Sequence, residues 1–261
     1  MNGYVAIDGK TLRRSFRTAG SGVFVHMVSA WATRNRVVLG QIKTDEKSNE
    51  ITAIPELLGL LSLKGCIVTI DAMGCQKDIA TAIIAGGAEY CLAVKDNQPK
   101  LRADLVQVFD AARTDPAILA TMDYFETHDK GHGRVEARRC WTTSALDGMS
   151  QVDQWTGLRS IALIEVDRTV GGKTSTEQRY VISSCKGLSA AKALETYLFT
   201  GRTGNSHVTQ PETPRFQAVF CMVDERQGLP GKEPTGSTPE ACTHEYSLKT
   251  RLKRWFTVPD P

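Results

Sequence analysis

The sequence lacks the features that would tie it to a membrane, to disulfide chemistry or to zinc. Its seven cysteines are an odd number, widely spaced and without a CxxC pair, which argues against a disulfide framework and against a zinc site. No stretch approaches the roughly 20 apolar residues of a membrane span, and the N-terminus has no apolar signal core. These absences predict a cytoplasmic protein in a reducing compartment, with no membrane partner.

The sequence also lacks a large excess of either sign of charge. The 261 residues are 41% hydrophobic and 23% charged, with a formal net charge of +3 and a pI near 8.4. A chain of this size can bury one sizeable core or two smaller ones. Its mildly basic balance permits a nucleic-acid partner without requiring one.

Two short apolar runs each end in an aspartate. Ile67, Val68 and Ile70 are β-branched and predict a buried strand that ends at Asp71. Tyr4–Ile7 repeats the pattern before Asp8. If the strands are neighbours in one sheet, the two carboxylates meet at its edge, where they repel each other and favour binding of a divalent cation.

The first half of the chain predicts an α/β arrangement with a mixed sheet. A helix is expected from near Ser48, with Pro55 tolerated only in about its first turn. The other predicted elements are a hairpin (22–32 and 36–43), a helix (77–84), a strand (90–94) and a helix (101–109).

From about Tyr124 the pattern becomes β-rich, as an insertion in the first sheet or an extension of its edge. Hairpins are predicted around Gly131–Gly133 and Gly171–Gly172, and a helix from Ala190. After Phe199 no period persists, and 200–240 is expected to be poorly ordered. The predicted organisation is a core (1–122), a β-rich insertion (123–187), the start of a last helix (188–199) and an irregular tail (200–261).

Five blocks in order resemble the ISAs1 group of DDE transposases, which includes the H-repeat-associated proteins and is related to the IS4-type family. They begin at Ala6, Glu46, Thr69, Val94 and Gly131, and they read AIDGKTLR, EKSNEI, TIDAMGCQ, VKDNQ and GHGRVEAR. The resemblance implies an RNase H-like fold with a β-rich insertion. It also implies metal-dependent DNA strand cleavage and transfer in a bacterial, nucleoid-associated protein that acts on insertion-sequence ends.

By this resemblance, Asp8 and Asp71 are the first two acids of a catalytic triad that holds Mg²⁺ or Mn²⁺. Two oxygen-ligated ions about 3.5–4 Å apart can activate the attacking oxygen and neutralise the leaving one. The candidates for contacts with DNA phosphates or base edges are Lys10, Arg13, Arg14, Lys95, Asn97, Gln98, His132 and Arg134. For His132 and Arg134, an ordinary hairpin tip is the competing interpretation.

The chain departs from the family where the third acid is expected. Related transposases carry it on a helix in a segment resembling His-Trp-x-Ile-Glu-Asn, but this chain continues from Thr196 into Tyr-Leu-Phe-Thr-Gly-Arg-Thr-Gly. Glu195 lies in the lead-in of that helix and is not assigned as a catalyst. Our hypothesis is a frameshift near Thr196, and reading the alternative frames for the acid motif tests it. A further domain is also expected before the first strand.

Two other interpretations stay open. The chain could be a non-enzymatic remnant that binds DNA or the full-length transposase. It could also be an RNase H-like nuclease whose third ligand is an unexpected acid such as Glu50 or Glu136. Whether the protein forms a homo-oligomer also stays open.

Overall fold

A computed structural model describes residues 3–12, 25–44, 50–131 and 133–200. The strands in this part of the chain are β1 (Tyr4–Leu12), β2 (Val25–Ala32), β3 (Val37–Thr44), β4 (Ile67–Ile70), β5 (Glu89–Val94), β6 (Asp123–Gly131), β7 (Arg134–Thr143), β8 (Ser160–Val170) and β9 (Lys173–Ser183). The helices are α1 (Glu50–Leu60), α2 (Lys77–Ala85), α3 (Pro99–Thr114), α4 (Pro116–Leu119) and α5 (Ala190–Thr200). Short 3₁₀ segments occupy Ala72–Gly74 and Val152–Gln154.

The described strands form one nine-stranded mixed sheet in the order β3-β2-β1-β4-β5-β9-β8-β7-β6. β1, β2 and β3 are antiparallel neighbours, whereas β4 and β5 run parallel to β1. This confirms the predicted mixed α/β sheet, and its first five strands have the order of the RNase H-like fold that the resemblance implies.

The central strands are buried on both faces. Val5, Ile7, Val68 and Ile70 pack in a core cluster with apolar residues of α1, α2 and α3, and Ile67 and Cys91 pack in a second cluster with α5. Side chains alternate between the faces of a strand, so α1–α3 cover one face and α5 the other. Burial on both faces explains why β4 is apolar throughout.

The β-rich second half extends the edge of the same sheet. β9 pairs with β5 in antiparallel register, and β8, β7 and β6 follow outward. Both hairpins form as predicted, one between β6 and β7 and the other between β8 and β9 across Gly171–Gly172. The sequence left open whether these strands insert into the first sheet or extend its edge. Because β9 pairs with β5 and the other three strands follow it outward, they extend the edge.

Pro55 contradicts the expectation that it lies in the first turn of its helix. It lies inside α1, beyond the first turn. Proline has no backbone N–H to donate to the carbonyl one turn earlier, at Ile51. Ile51 itself is 39% exposed, so this part of α1 lies at the surface of the protein. Residues 45–49, where the helix was expected to begin, lie outside the described residues.

In the described part of the chain, no helix has both the length and the apolar composition to cross a membrane.

Candidate active site

The two predicted acids lie side by side in the centre of the sheet. Parallel strands β1 and β4 pair Ile7 with Ile70, and Asp8 and Asp71 are the next residues along the two strands. Neighbouring strands are about 4.8 Å apart. The backbone therefore brings both carboxylates within reach of one shared ligand.

Both acids lie on the face of the sheet that α5 covers. Val5 and Ile7 belong to the core cluster on the opposite face, while Tyr4 packs against the α5 cluster, so alternation places Asp8 on the α5 side. Gly9 supports this, because a Cβ built there would lie 2.3 Å from the carboxyl carbon of Glu50 in α1. Gly9 faces α1, and its neighbour Asp8 faces α5.

A small cleft between the sheet and α5 contains Asp71. Its volume is about 80 Å³, enough for two or three water molecules at about 30 Å³ per water. The side chains that give it its chemistry are Asp71, Lys95, Arg179, Thr196, Tyr197 and Thr200. The cleft therefore places one carboxylate near two cations, an arrangement that suits a phosphate group together with a cation.

Arg179 is a cleft residue that sequence reasoning missed. Its guanidinium lies 4.9 Å from the centre of the Tyr197 ring and pairs with Glu177 at 2.9 Å. It reaches the cleft because β9 pairs with β5, with Tyr180 opposite Val94. The sequence shows that Arg179 and Val181 share one face of a strand. It does not show that this strand pairs with β5.

The chain after Asp71 makes a tight turn that holds the carboxylate. Asp71 caps the 3₁₀ segment, and its Oδ1 accepts a hydrogen bond from the Met73 amide at 3.1 Å. Gly74 is needed at the end of this turn because a Cβ there would lie 2.2 Å from Cγ2 of Ile70. Burial raises the pKa of the neighbouring Cys75 thiol to about 12, so this cysteine stays protonated and unreactive at neutral pH.

Asn97 and Gln98 bind this turn. Asn97 Nδ2 donates to the Ala72 carbonyl at 2.7 Å, and Gln98 Nε2 donates to the Cys75 carbonyl at 3.0 Å. The sequence predicted both residues as DNA contacts. That role stays a prediction, and the structure adds a role in which each amide holds the backbone beside Asp71.

Three of the other predicted DNA contacts, Lys10, Lys95 and Arg134, lie in the described part of the chain. Lys10 and Lys95 are exposed, and only Lys95 of these two lines the cleft around Asp71. Arg134 begins β7, and its Nε lies 3.5 Å from Oε1 of Glu136. Arg13, Arg14 and His132 lie outside the described residues.

None of the three other acids considered from the sequence joins Asp8 and Asp71. Glu50 packs on the opposite face of the sheet, and Glu136 is paired with arginines of the outer strands. Glu195 accepts a hydrogen bond from the Tyr4 hydroxyl at 2.9 Å. Among the residues that the structure describes, no group of three or more His, Cys, Asp or Glu side chains could hold a metal ion. The described part of the site therefore supplies two carboxylates.

A family model and similar proteins of known sequence all indicate the same family. A family model for the transposase DDE domain matches residues 3–198. Similar proteins include one encoded in the dhlA 3′ region of Xanthobacter autotrophicus (40% identity, 69% of this chain, 59% of that one). Two others are from Escherichia coli: YhhI, named as an H repeat-associated transposase (40% identity, 69% and 48%), and YncI, named as a transposase (52% identity, 51% and 53%).

The chain spans about half the length of the curated relatives that it matches. Among solved structures, it is similar to a piggyBac transposase synaptic complex with hairpin DNA, with a TM-score of 0.39 and 12% identity over 76% of this chain and 37% of that one.

Proposed function

The chain belongs to the transposase DDE domain family, and from that premise we propose that it is the catalytic-domain part of an insertion-sequence transposase, built for cleavage and transfer of DNA strands. The observation that supports this most is the placement of Asp8 and Asp71, which follow the paired residues Ile7 and Ile70 on adjacent parallel strands. Two carboxylates side by side are stable when a cation neutralises their repulsion.

The residues present fit a divalent cation in part. Asp8 and Asp71 would hold it, because carboxylate oxygens are the ligands that Mg²⁺ and Mn²⁺ prefer. When bound, such an ion supplies positive charge to the oxygens of the phosphodiester that reacts. Lys95 and Arg179, which line the cleft with Asp71, bind and orient the phosphate beside the carboxylates.

We further propose that the chain as it stands does not catalyse strand cleavage, because the third acid is missing. The family match ends at residue 198, inside α5, and the sequence has no Asp or Glu between Glu195 and Glu212. Thr196 and Thr200 are one helical turn apart on α5 and both line the cleft. The part of α5 that lines the cleft with Asp71 therefore carries threonines and no carboxylate, and both hydroxyls donate to carbonyls of the helix itself. A frameshift near Thr196 accounts for the loss.

Plasmid nicking tests this proposal. Supercoiled plasmid incubated with the protein in Mn²⁺ is expected to be nicked at the same low rate by the wild-type chain and by Asp71→Asn. Asp78→Asn, which changes an exposed acid at the start of α2, is the matched control. Nicking by wild type and Asp78→Asn that is lost in Asp71→Asn would contradict the proposed inactivity and show that a third ligand is supplied from elsewhere.

A second candidate function is a DNA-binding or transposase-binding remnant. Exposed cations at the outer hairpin ends favour it, since Lys130, Arg134, Arg168 and Lys173 all lie beside the two turns. Such a protein shifts DNA in a gel without any metal, and charge reversal at Arg134 and Lys173 weakens the shift. Binding of a second copy or of full-length transposase belongs to the same candidate.

A further inference from the structure

We propose that Asn97 and Gln98 are positioning residues, whose side-chain amides fix the turn that carries Asp71. We refer to these two amides and their backbone partners as the amide clamp. The inference deepens the proposed function and rests on it for the role of Asp71 in metal binding. The geometry of the clamp stands on its own contacts.

The clamp joins the ends of two parallel strands. The Asp71 turn follows β4, and Asn97 and Gln98 follow the neighbouring strand β5. Asn97 Nδ2 donates to the Ala72 carbonyl at 2.7 Å and lies 3.4 Å from the Cys75 carbonyl. Gln98 Nε2 donates to the Cys75 carbonyl at 3.0 Å and to Gln76 Oε1 at 3.3 Å. The carbonyls at both ends of the turn are therefore held from β5.

The Gln98 side chain is used for the Asp71 turn and not for the helix that follows. Gln98 is the N-cap of α3, but its side chain makes no capping hydrogen bond to that helix. The side chain of the adjacent Asp96 is 94% exposed, and its Oδ1 lies 3.6 Å from Nε of Arg102. A carboxylate at 97 or 98 would meet backbone carbonyls, which repel it, so the contacts require the donor that an amide supplies.

The held carbonyls lie next to the functional carboxylate. Ala72 directly follows Asp71, and the Met73 amide, one residue further, donates to Asp71 Oδ1. Without Asn97, the Ala72 carbonyl keeps only the hydrogen bond from the Cys75 amide, at 3.2 Å, so the peptide between Ala72 and Met73 rotates more easily and the hydrogen bond that orients Asp71 is weakened. A turn that loses such ties opens more readily.

The test replaces Asn97 with aspartate, which keeps the shape and turns the donor into an acceptor. Hydrogen exchange of the Met73 amide is followed by NMR, and Mn²⁺ affinity is measured on the same sample. The Met73 amide is expected to exchange about tenfold faster in Asn97→Asp than in wild type, with Mn²⁺ affinity reduced by a similar factor. Gln98→Glu is expected to act in the same direction.

The matched control is Gln41→Glu. Gln41 is also an amide in the sheet, and its Nε2 donates to Ser29 Oγ at 2.9 Å, on β2 and β3. It is expected to leave Met73 exchange unchanged, which separates the clamp from a general loss of stability.

Met73 exchange that is unchanged in both Asn97→Asp and Gln98→Glu would overturn the proposal, whatever happens to DNA or metal affinity. A wild-type protein that binds no Mn²⁺ would count against the proposed function and not against the clamp, since the amide-exchange measurement needs no metal.

Discussion

Replacing Gly74 with alanine is expected to lower the free energy of unfolding by about 2–3 kcal/mol. The new Cβ would lie 2.2 Å from Cγ2 and 3.2 Å from Cβ of Ile70, and 3.3 Å from Cδ1 of Ile54. Ile70 is β-branched and buried, so its side chain cannot rotate away cheaply. The overlap must be relieved by moving the turn that follows Asp71, so the site is displaced together with the loss of stability.

Urea unfolding of two further variants checks this cause. Gly59→Ala is the control, because a Cβ there meets nothing within 4 Å inside α1, and it is expected to hold or raise stability by up to about 1 kcal/mol. Adding Gly74→Ala to Ile70→Ala, which removes the clashing methyl, is expected to cost under about 1 kcal/mol more. An equal cost of Gly74→Ala in both backgrounds would refute the overlap.

Glu136→Ala is expected to destabilise the protein by about 3 kcal/mol. Glu136 is 4% exposed, and its carboxylate pairs with Arg138, with Arg168 at 2.7 Å and with Arg134 at 3.5 Å. Arg138 is itself mostly buried, and without Glu136 its guanidinium keeps only the exposed Asp129 as a partner between the outer strands. Glu177→Ala, which removes an exposed partner of Arg179, is the control and is expected to cost under about 1 kcal/mol.

The same carboxylate gives a pH dependence with a definite sign. Burial raises the pKa of Glu136, but the hydrogen bond from Arg168 and the charges of Arg138, Arg168 and Arg134 outweigh it and leave the pKa below its ordinary value of 4.5. A lowered pKa in the folded state adds stability above the pKa of the unfolded chain, and this stability is lost as the pH falls through the folded value. The stability difference between wild type and Glu136→Gln should therefore be constant near pH 7 and shrink below about pH 4.5. A difference that grows in acid would contradict the pairing.

The candidate acids could be predicted from sequence because each follows an uninterrupted β-branched or apolar run. A short β-branched run of this kind favours a buried strand, and a polar residue that ends it is expected where the strand leaves the sheet. Asp71 satisfies this condition, since β4 ends at Ile70, whereas β1 continues past Asp8 to Leu12, so Asp8 lies in the middle of its strand. The structure places the two acids on adjacent parallel strands.

The role of the amides at 97 and 98 could not be read in the same way. A polar residue after a strand has the same pattern whether it binds DNA or a backbone carbonyl, and only the position of the Asp71 turn distinguishes the two. Arg179 was missed for a related reason. Its place in the cleft depends on the pairing of β9 with β5. These strands are neighbours in the sheet, but β6, β7 and β8 lie between them in the sequence.

We propose that Asp8 and Asp71 form the two-carboxylate part of a transposase metal site. The most direct test is Mn²⁺ binding, measured by calorimetry and by paramagnetic broadening of the amide signals of residues 8 and 71. Wild type and Asp78→Asn are expected to bind one ion weakly with broadening at both positions, whereas Asp8→Asn and Asp71→Asn lose it. Binding that survives either substitution, or no binding by the wild-type chain, would contradict the claim.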